Sequence, residues 1–341
     1  MEKLNMMKPK ILTFTTAALL LLCACSEDET GGKGGCPSGG SQPVGMEVLG
    51  ASTGELQPET RAATYTTINS GSIGVFLNPK NVGEYDVKKN VKYTASIVDG
   101  KTVWSSVDPL FFTGFMAKVC AYHPYVAGVS YENCKSMTLR TQKYDVAYDL
   151  SYAKEIWMNA TLGVANGMES GAGNRVKFSM DRAYALLELN FKRGNLKDDA
   201  VISRIEVTAT GLKSTNTLDI STGAYGTATA ARDNKFILAY ESGREISLPK
   251  NTSATPVAQQ ILVVPATGLS NMNLTLTLKS TGSPTLSTSV SGISQFERGK
   301  KYILNMTVNA TSVEFLSMQV QTGWDDEALA NSDGSTALKP Q

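Results

Sequence analysis

The chain has 341 residues, a formal net charge of +1 and 18% charged residues. At near-neutral charge nothing suggests a nucleic-acid partner, which would want a basic face, and the length exceeds one typical core but suits two domains of about 150 residues. Thr, Ser, Val, Gly, Asn and Tyr are abundant, with frequent turn residues, a mix that favours strands over helices.

Lys3, Lys8 and Lys10 precede an apolar run from Ile11 to Leu22, and small residues follow. That order is a secretory signal peptide, and the run is too short to span ~30 Å of hydrocarbon as a mature helix. Leu22-Cys23-Ala24-Cys25 looks like the lipobox of bacterial lipoproteins. There the cut falls before the cysteine, here Cys25, which carries several acyl chains, each buried CH₂ contributing ~0.8 kcal/mol of membrane affinity. The plainer alternative is an ordinary signal with Cys25 incidental. Ser26-Glu27-Asp28-Glu29 resembles the surface-export signal of Gram-negative lipoproteins.

From Thr30 to Gln42 the chain is Gly-, Ser- and Pro-rich, a flexible spacer rather than a phosphate loop, since the G-x-x-x-x-G-K-[ST] spacing is missing. Val44 to Ala51 is the first expected strand, with Val44, Met46 and Val48 on one face. Pro58-Glu59-Thr60-Arg61-Ala62-Ala63 is a polar, Pro-flanked segment where a trypsin-like protease can cut after Arg61.

Short strands are then expected at 72–77, 92–98, 103–104 (after a turn at Asp99-Gly100), 111–122, 146–153 and 156–158. Cys120 and Cys134 lie fourteen residues apart. Outside the cytoplasm they can form a disulfide, or they can remain two small buried apolar residues; spacing does not decide between these. The turn-rich interval 163–174 marks a domain boundary.

The second half is expected to open with Val176-Lys177-Phe178. In 183–191, Leu187, Leu189 and Phe191 alternate with Glu188 and Asn190, a strand with one buried face. Further strands follow at 202–209, 217–220, 236–238, 246–248, 260–264, 274–278 and 303–308. Val313–Gln321 carries Leu316, Met318 and Val320 on one face, and the chain after Trp324 is polar without alternation. An all-β protein of two Greek-key sandwiches in series is the economical architecture.

Chemistry is sparse. His123 is the one histidine, no G-x-S-x-G elbow occurs, and His/Cys clusters for a metal are missing. Asp198-Asp199 and Asp325-Asp326 read as solvated loop pairs. No enzyme, cofactor or metal is expected. Trp104, Trp157 and Trp324 are candidate platforms for a sugar, which leaves a surface glycan-binding lipoprotein of a polysaccharide-uptake system as the alternative function.

In order along the chain, the lipobox at Cys25, Thr60-Arg61, Ala121-Tyr122-His123-Pro124-Tyr125, Asp149-Leu150-Ser151-Tyr152-Ala153 and Val176-Lys177-Phe178 resemble stations of the fimbrillin family of pilus subunits. Leu262-Val263-Val264-Pro265 and Phe296-Glu297-Arg298-Gly299-Lys300-Lys301-Tyr302 complete the series. The resemblance implies a signal over 1–24, a lipidated linker and plug strand over 25–61, and transthyretin-like β-sandwiches over 62–174 and 175–341. It implies an outer-membrane lipoprotein, held by its lipid until an Arg-specific surface protease cuts between Arg61 and Ala62. The plug residues Val44, Met46 and Val48 then leave, and a strand from another pilus subunit fills the groove. Leu316, Met318 and Val320 are the candidate donor face, and an adhesion ligand on a host or bacterial surface is the remaining implied partner. Without a clear C-terminal donor, a tip or accessory subunit fits as well as a stalk subunit.

Overall fold

The computed structural model describes residues 43–54, 65–85, 90–160, 174–250, 256–279, 283–322 and 324. All belong to one compact unit, residues 40–341. Among them regular structure is almost entirely strand, so the all-β sandwich expectation holds.

The N-terminal half runs β1 (Val44–Gly45), β2 (Glu47–Gly54), β3 (Tyr65–Thr67), β4 (Ser72–Pro79), β5 (Val91–Val98), β6 (Lys101–Ser105), β7 (Phe111–Phe112) and β8 (Ala117–His123). It continues through α1 (Tyr131–Cys134), β9 (Met137–Arg140), β10 (Gln142–Lys143), β11 (Ser151–Met158) and β12 (Arg175–Arg182). Eight of these form one sheet in the order β3-β2-β12-β11-β8-β4-β5-β6. β2 also packs against β6, so the sheet curls around its own apolar face. β5 buries Val91 and Tyr93 and exposes Lys92 and Thr94, the period of a half-buried strand. Asp99 and Gly100, at φ 50° and 73°, turn it back into β6 as a tight primed hairpin requires. β4 is buried on both faces: Ile73, Val75 and Leu77 enter the N-terminal core, Phe76 a separate cluster.

Two local expectations are corrected. Residues 146–148 form a 3₁₀ turn, because the Asp145 carboxylate accepts the Ala147 N–H at 2.8 Å and closes a turn instead of a ladder. The segment 111–122 is split by 113–116 into β7 and β8.

In the C-terminal half, β13 (Ala185–Arg193), β14 (Ala200–Thr210) and β15 (Lys213–Asp219) are followed by shorter strands. A five-stranded sheet runs β10, Val257–Val263, β13, Lys300–Val308, Val313–Thr322. A second sheet is built on β14, flanked by Lys235–Ala239 and Ser270–Leu278. Leu187, Leu189 and Phe191 meet Ile205, Val207, Leu274 and Leu276 in the core they share. The other face of β13 is not simply solvated. Leu186 joins a third cluster, and Glu188 is buried in a 2.7 Å ion pair with Lys301 while accepting the Gln260 amide at 2.8 Å.

The strand 175–182 was expected to open the second half; it lies in the first sheet, between β2 and β11. Its alternation of Val176, Phe178 and Met180 marks a buried face but carries no label of which sheet buries it. Conversely, β9 pairs with β15, and β10 pairs with Val257–Val263, so the first half lends two strands to the second.

Candidate functional site

The N-terminal strand occupies an interior position. β2 pairs antiparallel with β3, from Ser52 opposite Thr67 to Gly54 opposite Tyr65. On its other side it pairs in parallel with β12, from Glu47 opposite Arg175 to Gly54 opposite Asp181. Just before it, β1 pairs with β7, Val44 opposite Phe112 and Gly45 opposite Phe111. The Met46 N–H donates to the Leu110 carbonyl at 2.6 Å and the Glu47 N–H to the Asn174 carbonyl at 3.0 Å. One short stretch therefore changes partners at Met46 and joins two layers of the sandwich.

That change of partner corrects the expected plug face. Met46 and Val48 are each 4% exposed in the core, but Val44 stands 39% exposed beside β7. Leu49, skipped by the register shift between Val176 and Lys177, is also surface-exposed, and Ala51 returns to the core. Around the seat, the Tyr93 hydroxyl accepts the Leu110 N–H at 3.0 Å, and burial pushes its pKa up to about 12. The Arg175–Glu47 pair at 3.0 Å lies at the exposed rim and contributes little.

Arg61 and Ala62 fall in the connection from β2 to β3, and with Cys25 they lie outside the described residues. The candidate donor residues belong to a strand paired along its length with Lys300–Val308. A bulge between Asn305 and Met306 breaks their expected common face: Phe315 and Met318 turn to the core, while Leu316 and Val320 are exposed.

Cys120 on β8 and Cys134 at the end of α1 are buried and unbonded. The neighbouring Cys134 and burial push the Cys120 thiol up. Of the three tryptophans, Trp104 and Trp324 are buried. Trp157 stands at the surface with the Lys118 ammonium 5.2 Å from its ring. His123 is pushed down to about 4 by burial and by Arg182, so its imidazole is neutral near pH 7. Among the described residues no group of three or more His, Cys, Asp or Glu is placed to hold a metal, and no helix is long and apolar enough to cross a membrane.

A polar joint between the halves was not visible in the sequence. Arg182 and Asp149 form an ion pair, 4% and 5% exposed. Trp324 seals it: its indole N–H donates to Asp149 Oδ2 at 3.2 Å, and its carbonyl accepts from Arg182 Nη2 at 3.1 Å. The guanidinium carbon lies 4.4 Å from the ring centroid. Arg298 reaches from the other side to the Tyr152 hydroxyl and, at 3.8 Å, Asp181. Asp149, Tyr152 and Arg298 stood in recognised stretches, but nothing local signals that they meet.

A family model described as fimbrillin-like matches residues 60–324, well over half of the chain. No curated protein matches significantly. Among solved structures, a candidate cell adhesion protein of Bacteroides uniformis is 17% identical at TM-score 0.51, over 82% of this chain and 97% of its own. Another, from Bacteroides ovatus, is 12% identical at TM-score 0.53, over 84% and 99%. A tip fimbrial protein of Porphyromonas gingivalis matches at 10% identity and TM-score 0.37, over 75% and 95%. At these identities the likeness to solved structures is one of fold, and it is the family model that assigns the chain: it belongs to the fimbrillin-like family, structural and non-enzymatic subunits of cell-surface pili.

Proposed function

We propose that the chain reaches the outer membrane as a lipoprotein on Cys25, closed by its own strand β2, and becomes a pilus subunit when an Arg-specific protease cuts after Arg61. A strand from another subunit then takes the vacated place. The observation that carries this reading is the interior position of β2. β2 cannot leave without uncovering core and unpaired amides along β12 and, at Ser52 to Gly54, along β3, a state that edges otherwise avoid. Met46 and Val48, at about 1.5–3 kcal/mol each, hold it together with its ladders.

The cut matters through mass action. While β2 is tethered, its effective concentration at the seat is on the order of millimolar; once severed it can dilute away. In this reading the sandwiches over 62–174 and 175–341 are built around the two apolar cores, with β12 counted to the first and β2 as the strand that completes it.

Limited digestion with an Arg-specific protease tests the proposal. Arg232, whose side chain is 97% exposed, is first changed to Gln to remove a competing site. Intact mass and size-exclusion chromatography then follow the products. A single early cut after Arg61 with loss of the preceding segment supports the reading. Resistance at Arg61, or a cut segment that never dissociates under any strand peptide, refutes it.

A further inference from the structure

We propose that the seat of β2 is selective, and that it takes its strand from a different chain rather than from a copy of this one. The inference rests on the strand-exchange reading above and names the kind of partner. Along the core face of the seat, β12 presents Val176, Phe178 and Met180, all fully buried. Opposite them β2 places Val48, Ala51 and Thr53. Beside the fully buried Phe178 and Met180, the neighbouring residues of β2 are the small Ala51 and Thr53, 1% and 7% exposed. Ser52, on the reverse face, is also only 7% exposed. The fitting strand thus carries two bulky apolar residues two positions apart, a one-residue bulge, and then two small residues two apart. Packing of this density rejects added methylenes.

The chain's own candidate does not match. Aligned on its own bulge at Leu316, it puts Val313 and Phe315 in the two bulky positions, and Met318 and Val320 then fall where the small Ala51 and Thr53 lie beside Phe178 and Met180. A second, independent observation agrees. The strand Val313–Thr322 is followed by Trp324, which is 5% exposed and locked onto the Arg182–Asp149 pair. Giving that strand away pulls the indole out and leaves a buried ion pair without its cover. The chain accepts a strand and keeps its own.

The test uses the full chain, cut after Arg61 and freed of its own strand, with three synthetic peptides: residues 43–54, the same peptide with Ala51→Leu, and residues 313–322. Native mass spectrometry and the melting midpoint are read. The 43–54 peptide binds and raises the midpoint; the A51L peptide binds about tenfold or more weakly, the 313–322 peptide more weakly again, and the cut protein alone stays monomeric. Phe178→Ala in the protein recovers binding of the A51L peptide. Equal binding of A51L and parent peptides, or polymers of the cut protein joined through 313–322, overturns the proposal and leaves strand exchange standing. Failure of the 43–54 peptide to bind overturns both. Because F178A can unfold the chain, A51L is also placed in the uncut protein, where it lowers the midpoint and Leu49→Ala does not; equal midpoints overturn the proposal.

Discussion

Gly74 shows how a single residue is dictated by close approach. A Cβ there would lie 2.2 Å from the Tyr122 ring and 2.5 Å from Asn90 Oδ1. The ring has no freedom to retreat, since its hydroxyl donates to Asn90 Oδ1 and accepts the Val126 N–H, at 3.0 and 3.2 Å. Gly74→Ala should therefore destabilise by roughly 1–3 kcal/mol, read as a lower denaturation midpoint. His123 gives a clean titration, being the only histidine. Its folded pKa is lowered to about 4, so the unfolded chain binds the extra proton first. Stability is full above about pH 6.5 and falls as the pH drops towards 4; His123→Gln should flatten that part of the midpoint-against-pH curve. The buried, raised thiol of Cys120 should resist alkylation until the chain is unfolded, which peptide mapping of Cys120 and Cys134 checks. A joined 120–134 peptide in that map would show instead that export closes the pair.

At the scale of elements, the N-terminal strand divides into residues that hold it and residues that do not. Met46→Ala should cost about 2–5 kcal/mol in chemical denaturation. Val44→Ala, at an exposed site, should stay within about 0.5 kcal/mol. Equal effects would mean that the expected 44-46-48 face operates after all. The alternation in 44–51 was enough to find a strand, but not its change of partner at Met46 or the bulge at Leu49, because both are set by β7 and β12, which are distant in sequence. The last strand teaches the same point: its period is interrupted by a bulge that only the pairing with Lys300–Val308 reveals.

At the scale of the molecule, three apolar clusters among the described residues hold the fold together. Two belong to the halves, and the third draws Phe76, Tyr122 and Tyr152 from one side and Leu186, Leu218 and Leu262 from the other. Trp324 lies in that shared cluster. A shared core makes the halves unfold together, so calorimetry should show one transition. Trp324→Ala should lower it by the equivalent of about 3–5 kcal/mol and raise amide exchange across 313–322. A separate, unshifted transition for the C-terminal half would show that the joint does not couple them.

What the sequence determined by itself were properties written locally: strand content, the Asp99-Gly100 turn, the buried alternation of β13, and an ordered series of stretches resembling fimbrillins. Hydrophobic period and turn chemistry act over a few residues, so they survive without a fold. Tertiary structure alone decided that β12 lies beside β2, that β9 and β10 cross to the other half, and that Trp324 closes the Arg182–Asp149 pair. Those choices depend on which buried surfaces complement one another across separations from 75 residues, Arg140 to Thr215, to 175, Asp149 to Trp324, and a pattern that says only "buried" cannot name its partner.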